Sequence, residues 1–284
     1  MPRKKNHTKD QHYVAQVYLR GFSSNGKTVF AYSVKDNKRY DDEFSIRDIC
    51  HKKYLYEFRD NDGKIFNLNH IENQLKERIE DNYANYRGLL EKRIPCDSNN
   101  NMSGFFKQEE IDFWKMFASV QAVRFPNIIQ FFTDKLLKDS DGKLTKNEAR
   151  NLILRDTVSS KSFMNPNAQS TYSYIYDIFR DLYMSLFVDE TESIFANDRV
   201  LSFGQTEKAT KPNNVLLPIT SKMVIVFYDD EHEPDLGKNN LHYFTPEELD
   251  NYKRCTTTNA EWIYSQKPLS DKDIQILQER TESA

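Results

Sequence analysis

The sequence predicts an α+β fold with a mainly helical core of at least four helices, a small N-terminal β element and a C-terminal antiparallel β section. In four segments of the first 190 residues, apolar side chains recur every three or four positions, the spacing of amphipathic helices. After Asp189, short apolar runs alternate with Gly, Asn, Pro and Asp, as in strands joined by turns. The 19 Phe and 16 Tyr residues require a core and exclude a disordered chain.

The elements follow from these local patterns in chain order. We expect a helix over 13–22, strands over 28–34 and 53–58, and helices over 71–90, over 111–138 with a kink or break at Pro126, and over 171–187. Further on we expect strands over 193–196, 200–203, 215–219 and 223–228, then helices over 245–265 and 270–280.

No long polar or Gly/Pro-rich spacer divides the 284 residues, so the sequence predicts one domain over 1–284. Its expected sections are an N-terminal helix and β element over 8–65, a helical core over 66–190, a β section over 191–244 and C-terminal helices over 245–284. The lack of a signal peptide and of an 18-residue apolar run predicts a protein without membrane segments. Three isolated cysteines, Cys50, Cys96 and Cys255, favour the reducing cytoplasm.

The positive charge is concentrated near the N-terminus. Residues 1–60 contain 13 Lys and Arg against 8 Asp and Glu, although the whole chain has a net charge of −3. Such an excess favours a polyanionic partner such as nucleic acid or a nucleotide. No phosphate-binding Gly loop, nucleophile elbow or His-Glu-x-x-His motif occurs, which disfavours common nucleotide hydrolases, α/β-hydrolases and zincin peptidases.

Three polar groups are candidates for a site. His12, Gln16 and Arg20 are four residues apart, so on a helix they would share one face, where they could bind an anion, orient water or transfer a proton. The alternative is a solvated polar face.

The second group places polar side chains on a face that should be buried. Gln121 and Arg124 share the stripe of Trp114 and Phe117, and a buried Arg requires a carboxylate or an anionic ligand. Glu72, Asp198 and a ligand phosphate are the candidate partners of Arg124, and an internal ion pair is the alternative to a site. The third candidate, Asp198, lies between two apolar runs, where it is either a cleft carboxylate or a turn residue.

These residues fall in segments that resemble the bacterial family called domain of unknown function 4238. The run from His12 to Phe22 is similar to the family's opening, His-hydrophobic-Val-Pro-Gln-x-Tyr-Leu-Arg-x-Phe. The segments 121–126 and 196–199 are similar to its Gln-x-x-Arg-Thr-Pro and Ser-Asp-Asn-Pro, and the resemblance extends roughly from 12 to 264. The sequence departs from the family at three points: Ala15 replaces Pro, Phe125 replaces Thr, and Arg199-Val200 stands where Asn-Pro is usual.

Two hypotheses for function remain. The first is a hydrolase of phosphodiester or nucleotide substrates, nuclease-like and acting in phage defence. Its catalytic residues would be His12, Gln16, Glu72 and Asp198, and its anion- or substrate-binding residues Arg20, Gln121 and Arg124. The carboxylates could hold a divalent metal ion. The second is a non-enzymatic module that senses a ligand or binds a protein, in which the same buried polar residues are structural.

Overall fold

A computed structural model of the chain describes residues 9–66, 69–95, 102–158, 171–204, 214–229, 238–257 and 260–281, and Cys96 lies outside these ranges. Its helices are α1 (Gln16–Leu19), α2 (His70–Leu75), α3 (Asp81–Arg93), α4 (Gln108–Arg124), α5 (Pro126–Asp139), α6 (Lys146–Val158), α7 (Thr171–Arg180), α8 (Pro246–Thr256) and α9 (Asp271–Thr281). Arg20–Phe22 and Ile46–Asp48 form 3-10 turns, and the π-helical segment Lys76–Glu80 joins α2 to α3.

The strands are short at the N-terminus and longer in the second half of the chain. They are β1 (Asp10–His12), β2 (Thr28–Ser33), β3 (Lys38–Arg39), β4 (Phe44–Ser45), β5 (His51–Lys53), β6 (Phe58–Arg59), β7 (Ile65–Phe66), β8 (Met102–Ser103), β9 (Tyr183–Val188), β10 (Ala196–Asn197), β11 (Ser202–Gly204), β12 (Asn214–Thr220), β13 (Met223–Tyr228), β14 (Asn240–Tyr243) and β15 (Trp262–Ser265).

The larger sheet forms the centre of the molecule. Among the described residues its strand order is β11-β12-β13-β9-β14-β8, with β9 antiparallel to β13 and parallel to β14. All six residues of β13 are buried. A strand that is buried on both faces reads as a continuous apolar run, and the run over 223–228 matches this pattern.

A second sheet unites the two ends of the chain. Its order is β10-β15-β2-β3, with β4 also paired to β2. Ser33 of β2 lies opposite Trp262 of β15, and the ladder continues to Phe30 and Ser265. The N-terminal β segment is therefore part of one sheet with C-terminal residues.

The structure has an α+β fold, but the prediction of a mainly helical core with a separate small N-terminal β element is wrong. The predicted helix over 171–187 ends at Arg180, and its second half is β9 in the middle of the larger sheet. The predicted helix over 245–265 contains β15, which separates β10 from β2. Both strands are short apolar runs, which periodicity alone cannot distinguish from buried helix. Helix α6 was not predicted.

The helices that carry the candidate residues are fixed by packing and by proline. Phe125 has an extended backbone (ψ 130°) before Pro126, as the proline ring demands, so the predicted long helix is divided into α4 and α5. Trp114 and Phe117 of α4 are fully buried, and both rings contact Tyr83 of α3.

The N-terminal segment is anchored on the larger sheet through Gly21. A Cβ atom at this position would lie 2.3 Å from the carbonyl oxygen of Ile219 in β12, so only glycine allows this approach. The Gly21 carbonyl accepts a hydrogen bond from the Ser221 amide at 3.1 Å. This contact fixes the position of α1 while Gln16 and Arg20 face the surface.

Within the described residues, no helix combines the length and the apolar character needed to cross a bilayer.

Candidate functional site

His12 ends a strand, and the prediction that it shares a helix with Gln16 and Arg20 is wrong. It lies opposite His51 in the β1 and β5 ladder, and the two ring centroids are 5.4 Å apart. Helix α1 begins only at Gln16, after an extended Ala15, and Arg20 begins the following 3-10 turn. The chain turns between His12 and Gln16, so these two side chains still meet.

The His12 ring is buried and held by two groups. Its Nε2 lies 3.2 Å from the Arg47 carbonyl oxygen. The Gln16 amide nitrogen is 3.4 and 3.5 Å from the two ring nitrogens, and near-equal distances place it over the ring face. Burial and His51 lower the pKa of His12. A neutral ring that donates from Nε2 to a carbonyl keeps Nδ1 as its basic nitrogen.

A basic surface cleft of about 560 Å³ adjoins this histidine. Three of its lining side chains are cationic: Arg20, Lys27 and Arg47. Within the described ranges, none of the three forms an ion pair or a side-chain hydrogen bond. Gln16, which covers the His12 ring, is part of the same wall. Unpaired cations around a cleft of this size are suited to a phosphate-bearing ligand.

Local turns set the position of these cations. The Asn25 side-chain oxygen accepts hydrogen bonds from the amides of Lys27 and Thr28 at 2.8 and 2.9 Å, an Asx turn that shapes the loop before β2. Ser45 caps the 3-10 turn that contains Arg47, with its Oγ 3.3 Å from the Arg47 amide. At the edge of the cleft, Thr28 donates to the Glu43 carboxylate.

Arg124 lies behind His12 in a closed cluster. Its side chain is fully buried and donates to Glu80 Oε1 at 2.9 Å and to the His12 carbonyl oxygen at 2.7 Å. Its Nε lies 3.4 Å from the Tyr56 hydroxyl, which is also 3.4 Å from the His12 carbonyl oxygen. The guanidinium therefore holds the backbone of His12. Its use as an anion-binding group stays a prediction.

Glu72 is the second carboxylate near Arg124. Burial raises its pKa to about 7 against the attraction of Arg124, and Glu80 and Glu57 add to the rise. Its Oε2 is buried and makes no hydrogen bond within the described part of the chain. In a regular helix, residues eight apart are separated by about 80° around the axis, and a π turn rotates less per residue. The π segment before Asp81 thus brings Glu72 and Glu80 to the same side, toward Arg124.

Asp198 belongs to a different cluster. Its Oδ1 accepts hydrogen bonds from the amides of Glu261 and Trp262 at 3.1 and 3.3 Å, so it anchors the start of β15. Burial raises its pKa. Asp198 also acts electrostatically on Cys50, whose thiol pKa burial raises to about 12. His51, the first residue of β5, therefore faces His12, while the preceding Cys50 lies near Asp198.

Gln121 is buried one turn before Arg124, and neither its amide oxygen nor its amide nitrogen makes a hydrogen bond with any residue that the structure describes. Among the described residues, no group of three or more His, Cys, Asp or Glu side chains is arranged to hold a metal ion.

The structure thus divides the predicted residues into separate groups. Gln16 and Arg20 line the basic cleft, and the His12 ring lies against Gln16 and the Arg47 carbonyl, next to this cleft. Glu72 and Arg124 lie in the cluster behind His12. Asp198 lies apart from both groups, where it anchors the start of β15. The buried Gln121 precedes Arg124 by one turn of α4. Sequence reasoning missed Lys27, Arg47 and His51, which lie in loops and a short strand without periodicity. It also missed Glu80, although its spacing of eight from Glu72 placed both on the predicted helix over 71–90.

Comparison with known proteins supports the resemblance seen in the sequence. The pattern of the family described as "Protein of unknown function (DUF4238)" matches residues 10–268. No curated protein and no solved structure matches the chain significantly. The match covers most of the 284 residues and includes every predicted site residue. The chain therefore belongs to the DUF4238 family of proteins of unknown function.

Proposed function

We propose that the basic cleft binds phosphate groups of a nucleotide or of nucleic acid. The observation that carries this proposal is the convergence of Arg20, Lys27 and Arg47 on one cleft, where no carboxylate of the described residues pairs with them. Arg and Lys donors are the usual ligands of phosphate oxygens. The positive excess of residues 1–60 would add attraction for a polyanion.

Binding is tested with a fluorescent single-stranded oligonucleotide and, separately, with a fluorescent nucleotide, by anisotropy at several salt concentrations. We expect Arg20→Gln, Lys27→Gln and Arg47→Gln each to weaken binding of the oligonucleotide and to reduce the slope of log K against log salt by about 0.7. Lys135→Gln is the matched control, because Lys135 is an exposed cation on α5, outside the cleft. If wild type fails to bind either probe, or if the three variants behave like the control, the cleft is not a phosphate site.

Hydrolysis of the bound phosphodiester is a second candidate function, supported by the position of His12. Its ring contacts Gln16 and the Arg47 carbonyl, which both belong to cleft-lining residues. A neutral imidazole at neutral pH could accept a proton from an attacking water through Nδ1. The proton would later return to the leaving oxygen.

The variant His12→Gln separates binding from hydrolysis. A Gln amide can still donate to the Arg47 carbonyl, and the bonds from Arg124 and Tyr56 reach only the backbone oxygen of His12. We expect wild type to cleave a fluorophore-quencher oligonucleotide and His12→Gln to bind it without cleaving. If wild type binds without any cleavage, the cleft is a recognition site alone.

A further inference from the structure

A second pocket lies between the β6-β7 hairpin and helix α6. It has a volume of about 490 Å³, within the range of small-molecule sites, and none of its lining residues belongs to the basic cleft. Its walls are mainly apolar and include Phe58, Phe66, Leu144 and Leu152. The two rings face each other across the hairpin with centroids 5.9 Å apart, and Phe66 is 47% exposed.

The walls of this pocket are held together by side-chain bonds. Asn151 of α6 accepts from the Arg59 amide at 3.0 Å and donates to the Arg59 carbonyl at 2.6 Å. Asn147 donates to the Asp60 carbonyl at 2.8 Å, and Arg150 donates to the Glu57 carbonyl at 2.7 Å. These bonds fix the hairpin against the helix, so the pocket is preformed.

The polar groups that line the pocket differ in their availability. Asn151 is occupied by Arg59, and Glu148 accepts bonds from Thr145 as the cap of α6. The Arg155 side chain makes no ion pair or hydrogen bond within the described part of the chain. Arg155 acts electrostatically on the adjacent Asp156 carboxyl, but the two side chains form no ion pair in the described ranges.

We propose that this pocket binds a small aromatic carboxylate, with the ring among Phe58, Phe66, Leu144 and Leu152 and the carboxylate on Arg155. An apolar body gains affinity from burial against these walls. A guanidinium without a partner gives the pocket the positive charge and the paired N–H donors that a carboxylate requires. The site is independent of the phosphate site in the basic cleft.

The test compares 2-naphthoate with its uncharged amide, 2-naphthamide, by isothermal titration calorimetry on the full chain. We expect wild type to bind the carboxylate at least tenfold more tightly than the amide. Arg155→Gln should weaken carboxylate binding at least tenfold and leave amide binding unchanged. Phe66→Ala, at an exposed ring whose loss does not open the core, should weaken the binding of both ligands.

Two variants serve as matched controls. Lys146→Gln removes an exposed cation from the same helix outside the pocket and should change neither affinity. Arg20→Gln removes a cation of the basic cleft and should also leave naphthoate binding intact. The proposal is overturned if wild type binds neither ligand, if Arg155→Gln binds the carboxylate like wild type, or if Arg20→Gln abolishes binding.

Discussion

Replacing Glu72 with Gln should stabilise the protein at pH 8 and have little effect near pH 4.5. The carboxyl lies close to one cation, Arg124, and two other carboxylates, Glu80 and Glu57. Burial raises its pKa to about 7, despite the attraction of Arg124. The ionised form is therefore unfavourable in the folded protein, and an amide removes this cost.

The size of the effect follows from proton linkage. In the unfolded chain the carboxyl titrates near its ordinary value of 4.5. Between pH 4.5 and 7 the folded state binds more protons, so the free energy of unfolding falls as the pH rises through this range. The difference between the two values is equivalent to about 3 kcal/mol at higher pH. Because Glu72 is only partly buried, solvent screening reduces this cost, and we expect Gln to gain about 1 to 3 kcal/mol at pH 8.

Urea denaturation of wild type and Glu72→Gln from pH 4.5 to pH 8 measures this difference. Other titrating groups, including His12, contribute to both proteins and cancel in the comparison. Glu77→Gln is the control, because Glu77 is exposed on the same helical segment and its replacement changes the net charge equally. A variant that loses stability at pH 8 would show that the Glu72 carboxylate is ionised and stabilised by Arg124. A gain that is the same at every pH would show that the effect does not come from the titration of Glu72.

Three further predictions test the packing around the site. Arg124→Met should destabilise the protein by about 3 to 5 kcal/mol because it leaves the Glu80 carboxylate without its partner. In urea denaturation, the double variant with Glu80→Gln should lose less stability than the sum of the losses of the two single variants. Gly21→Ala should lower the melting temperature, because the forced backbone shift costs about 1 to 3 kcal/mol. Gly88→Ala is the control: a Cβ atom there meets nothing within 4 Å, so it should raise the melting temperature slightly. Gln121→Met should raise the melting temperature, because it removes a buried amide that has no hydrogen bond in the described residues. The expected gain in the free energy of unfolding is about 1 to 3 kcal/mol. A lower melting temperature would indicate that the amide has a partner, such as a buried water.

The sequence predicted those elements that clear local signals, such as turn residues or proline, delimit. The run over 223–228 is a strand, β13, because a continuous apolar run bounded by turn residues is buried on both faces. The break at Pro126 follows from the missing N–H of proline. By contrast, Leu182 and Leu186 fit the spacing of a helix, yet β9 pairs with β13 over this segment. Partner strands that are distant in sequence decide such cases, and local spacing does not contain them.

The departures from the family pattern are also informative at one position. Val200 has a φ of 67°, a left-handed conformation that is strained for a β-branched residue. Proline, which the resemblance to the family implies at this position, is fixed near −65° and cannot adopt it. The turn after Asp198 therefore has a shape in this chain that a proline-containing relative could not share.

The arrangement of the polar residues explains why the sequence could find the candidate site only in part. Arg124 is buried, as its position on an apolar stripe predicted, but its donors are directed to the backbone oxygen of His12 and to Glu80. Arg124 and Glu80 therefore lie behind the cleft, where they hold the strand that carries His12. The cations that face the cleft are Arg20, Lys27 and Arg47. Of these three, only Arg20 lies in a segment with a recognisable pattern. Lys27 and Arg47 are brought to it by an Asx turn and a capped 3-10 turn, whose juxtaposition depends on the pairing of β2 with β4. A site built on turns is therefore visible in the fold and not in the spacing of its residues.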